Sequence, residues 1–186
     1  MERFELLVVL LSFVYALALT HLLASVAAML LERERTRFSL VQSMWMLAAV
    51  MLLFNNWLSL EGLRGASWSA GLAAWALVFA IVQYVACALV SPRATEPGAA
   101  IDMAAHHERH GRLFKAAFAL VAAVAMIGNI NAHLRTGGAL VPSVGSQAPI
   151  LLMTGVILLA LWRREKWVQI ACSSVLLLLL AAIVFI

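Results

Sequence analysis

The sequence predicts an all-α membrane protein, a polytopic bundle of six transmembrane helices with both termini on the non-cytoplasmic side. Three observations lead to this prediction. The 186-residue chain is 65% hydrophobic and only 12% charged, whereas a soluble domain is about 45–50% apolar and about 25% charged. The apolar residues form runs of about twenty, the length that crosses a hydrocarbon core of about 30 Å. Lysine and arginine are concentrated in alternate loops.

The apolar runs place the spans, and charged or turn-forming segments separate them. Glu32–Arg37 is charged and ends the first run, Ser39 is suited to cap the second, and Ser91-Pro92 closes the third. The fifth run is short for a span. Helices are expected because lipid offers no hydrogen bonds to the backbone, and because the runs lack the alternation of a barrel strand. The predicted spans, within a single transmembrane domain 1–186, are about 6–31, 40–60, 67–90, 113–134, 149–162 and 167–186.

The basic residues predict the orientation. Cytoplasmic loops carry an excess of lysine and arginine. Ten of the thirteen fall in the first, third and fifth loops, so these loops are expected to be cytoplasmic and both termini to lie on the other side. Tryptophans near span ends are expected as interfacial anchors. These are Trp45, Trp57, Trp68, Trp162 and Trp167.

The third loop, 92–112, is the longest and is predicted to be cytoplasmic. Its first part, Pro92–Gly98, is expected to be irregular. Asp102 is a good N-cap, and Met103–Lys115 contains no proline. We therefore expect a helical extension that stands in the cytoplasm and continues into the fourth span.

His21 lies near the middle of the first predicted span, where ionisable groups are rare and usually face the bundle interior. It is the centre of a candidate ligand or polar intramembrane site with Thr20, Gln42, Gln83 and Tyr84. The alternative is a packing histidine that bonds across the bundle.

Four asparagines form a candidate outer polar cluster in the outer thirds of the second and fourth spans. They are Asn55, Asn56, Asn129 and Asn131. Amides at such positions commonly bond between helices. The alternative interpretation is a polar cavity open to the outside.

Asp102, His106 and His110 are four residues apart and share one helical stripe. Two histidines at this spacing can bind a metal, but the His-Glu-x-x-His motif is absent, so these three residues are only weak metal candidates. A solvated helix end and a pH-sensitive loop are the alternatives. We predict no cofactor, no metal and no catalytic residue.

Absent features restrict the function further. No predicted span contains an acidic or basic residue expected to be buried, which argues against a proton-coupled pump and against a lysine Schiff base. The basic residues lie at helix ends, so lipid headgroups rather than nucleic acid are the expected partners.

Two segments carry a resemblance to a known group. The run Tyr15–Leu23 resembles the first helix of a widespread family of small six-helix bacterial membrane proteins. Asp102, His106-His107, Arg109, Arg112 and Phe114 are similar to the family's stretch before the fourth helix, although the family often has tyrosines at the histidine pair. The resemblance implies six helices in a bacterial inner membrane and no particular activity.

The function expected from the sequence is a non-enzymatic integral membrane protein. It would form a homo-oligomeric helix bundle that binds or passes a small solute, ion or lipid. One alternative is a sensor or interaction subunit that meets a soluble partner through its cytoplasmic loop. A membrane enzyme or cofactor protein is the third hypothesis.

Overall fold

The computed structural model describes residues 3–60, 69–93, 100–135 and 147–185. Within these residues the chain forms six α-helices, and the predicted all-α bundle is confirmed. The helices are α1 (Arg3–Leu31), α2 (Leu40–Ser59), α3 (Ala70–Val90), α4 (Met103–Arg135), α5 (Ala148–Trp162) and α6 (Lys166–Phe185).

Five of these helices are long and apolar enough to cross a bilayer. The exception, α5, has 15 residues and is about 22 Å long at 1.5 Å per residue. It lies antiparallel to α4, because Gln147 at its start bonds to Asn129 and the carbonyl of Ala160 near its end accepts a bond from Lys115. Helix α5 therefore runs beside α4 from the level of Asn129 to the level of Lys115.

The bundle is apolar on the outside as well as in its core. Trp45, Phe114 and Phe118 are fully buried, whereas Phe13, Leu17 and Leu178 are more than half exposed. Water would make such an exposed apolar surface unfavourable. Hydrocarbon chains would not, so the arrangement is typical of helices surrounded by lipid.

Two short extended segments pair with each other, one just after the end of α1 and the other just before the start of α4. A 3₁₀ turn at Arg33–Arg35 leads into β1 (Thr36–Arg37), which pairs in parallel with β2 (Ile101–Asp102). The Arg37 guanidinium lies 3.5 Å from the Asp102 carboxylate. These contacts bring the first and third loops together at one end of the bundle.

Helix α4 is continuous from Met103 to Arg135, so the predicted helical extension and fourth span form a single helix. The Asp102 carboxylate accepts a hydrogen bond of 2.9 Å from the backbone N–H of Ala105. This is the N-cap geometry expected for Asp102.

The tryptophans do not all lie at the surface. Trp57, Trp162 and Trp167 are exposed, which suits interfacial anchors, but Trp45 is completely buried, and the prediction of an anchor there is wrong. Trp45 packs against aromatic rings from α4, whose proximity the sequence alone did not reveal. Trp68 lies outside the described residues.

Candidate functional site

A buried lysine organises one end of the bundle. Lys115 on α4 is only 5% exposed. Its ammonium group donates to the side-chain oxygen of Gln169 at 2.6 Å and to the carbonyl of Ala160 at 3.3 Å, and it lies 3.3 Å from Nε2 of His107. An ammonium has three donors, so three neutral acceptors satisfy it completely.

The network continues from His107 into two further helices. With Nε2 as the acceptor for Lys115, the proton of the neutral imidazole is on Nδ1, which lies 3.0 Å from the side-chain oxygen of Gln42. The Gln42 amide then donates to the carbonyl of Val90 at the end of α3. We call Lys115, His107, Gln42 and Gln169 the lysine cluster, and it joins five of the six helices.

The buried Lys115 corrects one expectation from the sequence. A predicted span does contain a buried basic residue, because Lys115 lies within the fourth span although it was counted among the cytoplasmic loop charges. A lysine near a span end usually extends to water. Here the acceptors come from residues 45 and 54 positions away, on α5 and α6, and sequence spacing could not reveal them.

Three aromatic rings pack directly beside the lysine cluster. The Trp45 ring centroid lies 5.6 Å from that of Phe114 and 5.5 Å from that of Phe118. The Lys115 ammonium lies 5.8 Å from the Trp45 centroid and 5.7 Å from the Phe114 centroid, within the range of a cation–π contact. We call Trp45, Phe114 and Phe118 the aromatic column.

Beyond the aromatic column the bundle contains a partly open cavity of about 420 Å³, which we call the central cavity. Phe118 contributes to its wall, and residues from all six helices line it. Most of the lining is apolar, including Leu52, Phe79, Met153 and Leu176. The polar or partly polar lining residues are Tyr15, Asn55, Asn56, Ser59, Trp75 and Asn129.

Three members of the predicted outer polar cluster line this cavity. Each amide nitrogen also donates a bond between helices: Asn55 to the carbonyl of Leu180 at 3.1 Å, Asn56 to Gln83 at 3.1 Å, and Asn129 to Gln147 at 3.2 Å. These bonds fit the interpretation of the asparagines as links between helices, whereas the cavity that they border is mainly apolar. Asn131 is exposed and does not contribute to the described lining.

The structure brings only His21 and Tyr84 of the predicted His21 site into ring contact. His21 lies edge-on to Tyr84, with 6.2 Å between ring centroids, and the Arg93 guanidinium bonds to its imidazole. Thr20 is exposed.

The two glutamines predicted with His21 lie elsewhere in the bundle. Gln42 belongs to the lysine cluster. Gln83 is 1% exposed and accepts a bond from Asn56 at its oxygen, and no described residue bonds to its amide nitrogen. Their separation from His21 follows from the register between helices, which a single sequence does not contain.

Two of the three weak metal candidates, His106 and Asp102, already bond to other groups. The rings of His106 and His110 are 4.9 Å apart, but Nε2 of His106 donates to the carbonyl of Leu89 at 3.1 Å. The Asp102 carboxylate caps α4. The Ala105 backbone N–H, together with Arg37, holds the pKa of that carboxyl below its usual value. Among the residues that the structure describes, no group of three potential ligands is placed to hold a metal.

The fold and these sites define the class of protein. Five apolar helices of membrane-spanning length, with apolar residues on the outer surface, characterise a multi-pass membrane bundle. The chain matches no protein family, no curated protein and no solved structure.

Proposed function

We propose that this chain is a non-enzymatic, six-span protein of the bacterial inner membrane that binds a small amphipathic molecule, such as a lipid, within the bundle. The observation that carries the proposal is the cavity of about 420 Å³ that all six helices line. Ligand sites typically have about 300–1,000 Å³, apolar walls and a few polar groups that fix orientation. The cavity has this composition.

The distribution of lining groups favours an amphipathic ligand. Leu52, Phe79 and Met153 provide apolar walls, whereas Asn55 and Asn129 place amides in the lining. An amide oxygen accepts hydrogen bonds and an amide nitrogen donates them. Because the nitrogens of both asparagines already donate to other helices, the oxygens are the atoms we expect to accept a bond from a ligand hydroxyl or amine.

The aromatic column supports binding rather than passage through a single chain. Trp45, Phe114 and Phe118 are each no more than 1% exposed, and they lie between the cavity and the lysine cluster. Close-packed rings leave no space for a solute. All six helices of one chain line the cavity, so the proposed binding does not require the homo-oligomer expected from the sequence.

A photoreactive probe tests the proposal. Purified protein would be labelled in lipid nanodiscs with a diazirine-bearing long-chain alcohol, and the labelled residues would be identified by mass spectrometry. We expect labelling of Phe79, Met153 and Leu176, which line the cavity. The Ala122→Phe substitution, at a buried position, would fill part of this space and should reduce labelling at all three positions.

A matched control separates cavity binding from contact with bulk lipid. Ala74 on α3 is exposed and does not line the cavity. The Ala74→Phe variant should therefore be labelled as the wild type is. Labelling confined to outward-facing residues such as Leu17 and Leu178, or cavity labelling that is insensitive to Ala122→Phe, would contradict the proposal.

A further inference from the structure

A second concave surface lies between α1 and α2, at the end where these helices join β1 and β2. It is an open groove with a volume of about 450 Å³, and it shares no described lining residue with the central cavity. Its walls are apolar and partly exposed, with Leu23, Val26 and Leu30 on one side and Leu47 on the other. We call this surface the α1–α2 groove.

Within the described residues, Arg33 is the one charged side chain that lines the groove. It is exposed and lies at the end of the groove, beyond the last turn of α1. Glu32 and Glu34 are its neighbours in sequence, but neither contributes to the described lining. The groove therefore has an apolar body and a cationic end.

The length of the groove matches one leaflet of a bilayer. The α1 residues that line the groove, from Leu22 to Leu30, span about 12 Å at 1.5 Å per residue, and half of a hydrocarbon core is about 15 Å. An acyl chain placed along this stretch would bring its headgroup to the level of Arg33. Basic pockets between membrane helices are a recurrent way to bind anionic headgroups.

We propose that the α1–α2 groove is a binding site for an anionic phospholipid, with an acyl chain along Leu23, Val26 and Leu47 and the headgroup phosphate against Arg33. The charge at the end of the groove selects this occupant over a zwitterionic lipid. A guanidinium presents planar paired donors that fit phosphate oxygens. The groove and Arg33 keep the same relation in either orientation of the chain in the membrane.

Native mass spectrometry of the detergent-solubilised protein tests this site. Phosphatidylglycerol and phosphatidylcholine with identical acyl chains would be offered at equal concentration. We expect the wild type to prefer phosphatidylglycerol by about fivefold, the contribution of one basic residue near an anionic surface. The Arg33→Gln variant should bind the two lipids equally, and Arg33→Lys should retain most of the preference.

Two further variants act as controls for charge and for shape. Arg164→Gln removes an exposed arginine from the α5–α6 connection and should leave the preference unchanged. Val26→Trp, which fills the groove, should reduce binding of both lipids. Leu17→Trp, at an exposed position of α1 outside the groove, should not.

The proposal would be overturned if the wild type bound both lipids equally, if Arg33→Gln kept the wild-type preference, or if Arg164→Gln removed it to the same extent. Each variant would be compared at the same size-exclusion elution volume and helical circular dichroism. If Val26→Trp does not fold, the Gln and Lys variants of Arg33 still decide the result.

Discussion

Lys115 shows how a single cation is accommodated in this bundle by neutral acceptors, since no anionic group among the described residues bonds to it. Its three donors face the Gln169 side chain, the Ala160 carbonyl and the His107 ring, and two aromatic faces lie nearby. Hydrogen bonds to charged groups contribute about 1.5–3 kcal/mol each, and loss of one partner leaves the charge partly unsatisfied. The lysine cluster therefore stabilises the bundle as a unit rather than as separate bonds.

Gln169→Leu removes the shortest bond of Lys115, and we expect it to lower the free energy of unfolding by about 2 kcal/mol. In the double variant with Lys115→Met the loss should be smaller than the sum of the two single losses, because the charge that needs the acceptor is gone. Thermal unfolding in detergent measures all three variants. Lys166→Met, at an exposed lysine of α6, is the control and should change stability by less than about 0.5 kcal/mol. Strictly additive losses would show that Lys115 and Gln169 are not coupled.

Asp102 allows a pH prediction. Its pKa lies below the usual value, first because the Ala105 backbone N–H bonds the carboxylate. A depressed pKa means that the cap is fully formed above the unfolded-state pKa of about 4 and is lost as the pH falls through the lower folded-state value. The start of α4 should therefore be equally protected at every pH from 5 to 8, because this range lies above the pKa of the Asp102 carboxyl in both the folded and the unfolded state.

Amide hydrogen exchange at Met103–Ala105, corrected for the intrinsic rate, measures this protection. It should weaken only below about pH 4. Asp102→Asn keeps a good N-cap but has no carboxyl to titrate, so its protection should not change in that range. A loss of protection near neutral pH in the wild type would show that another group controls the start of α4.

The two residues also show what the sequence could and could not predict. The Asp102 cap depends on residues three positions apart, so local spacing was enough to predict it. The burial of Lys115 depends on contacts among α4, α5 and α6. The separation of His21 from Gln42 also depends on contacts between helices. The sequence placed both residues in one candidate site, but only Gln42 belongs to the lysine cluster.

Helix α4 and its neighbour α3 meet closely at Gly128. A Cβ added at Gly128 would lie 2.7 Å from Nε1 of Trp75, closer than two such atoms can approach without movement. Both residues also line the central cavity. The absence of a side chain at position 128 therefore sets the position of Trp75 in the cavity wall.

Gly128→Ala should destabilise the bundle by about 1–3 kcal/mol, because an added methyl group in a packed contact forces side chains or helices apart. Thermal unfolding in detergent measures the loss, and addition of Trp75→Phe, which removes the clashing nitrogen, should recover part of it. Gly155 on α5 has no atom within 4 Å of the corresponding Cβ position, so Gly155→Ala should be neutral or slightly stabilising. Equal effects of the two substitutions would show that helix propensity, rather than the Trp75 contact, determines the result.

The helices themselves were predictable because each depends on local signals. Polar or charged segments separate the apolar runs, and α3 ends at Val90, immediately before Ser91-Pro92. The contacts between helices were not predictable, because the runs are apolar on several sides. Trp45 has the sequence context of an interfacial tryptophan but packs in the core between Phe114 and Phe118.

At the scale of the whole molecule, two polar regions lie at opposite ends of an apolar interior. About 20 Å of helix separates Gln42 from Asn55 on α2, and a similar length separates Lys115 from Asn129 on α4. Helix α5 also joins the two regions, since Gln147 bonds to Asn129 and the Ala160 carbonyl to Lys115. A helix of 15 residues is therefore long enough to connect the polar ends of this bundle, which supports our proposal of six crossings.

Reporter fusions test the six crossings and the orientation together. With the buried Lys115 left out, nine of the thirteen lysines and arginines lie in alternate predicted loops, so we expect those loops to be cytoplasmic. Green fluorescent protein, which fluoresces when it folds in the cytoplasm, should be bright when inserted after Arg164 and dark when fused after Ile186. Alkaline phosphatase, which is active only outside the cytoplasm, should give the opposite result at both positions.

If α5 did not cross, the connection after Arg164 would lie on the outer side and the C-terminus in the cytoplasm. Fluorescence after Ile186 together with phosphatase activity after Arg164 would therefore exclude six spans with this orientation.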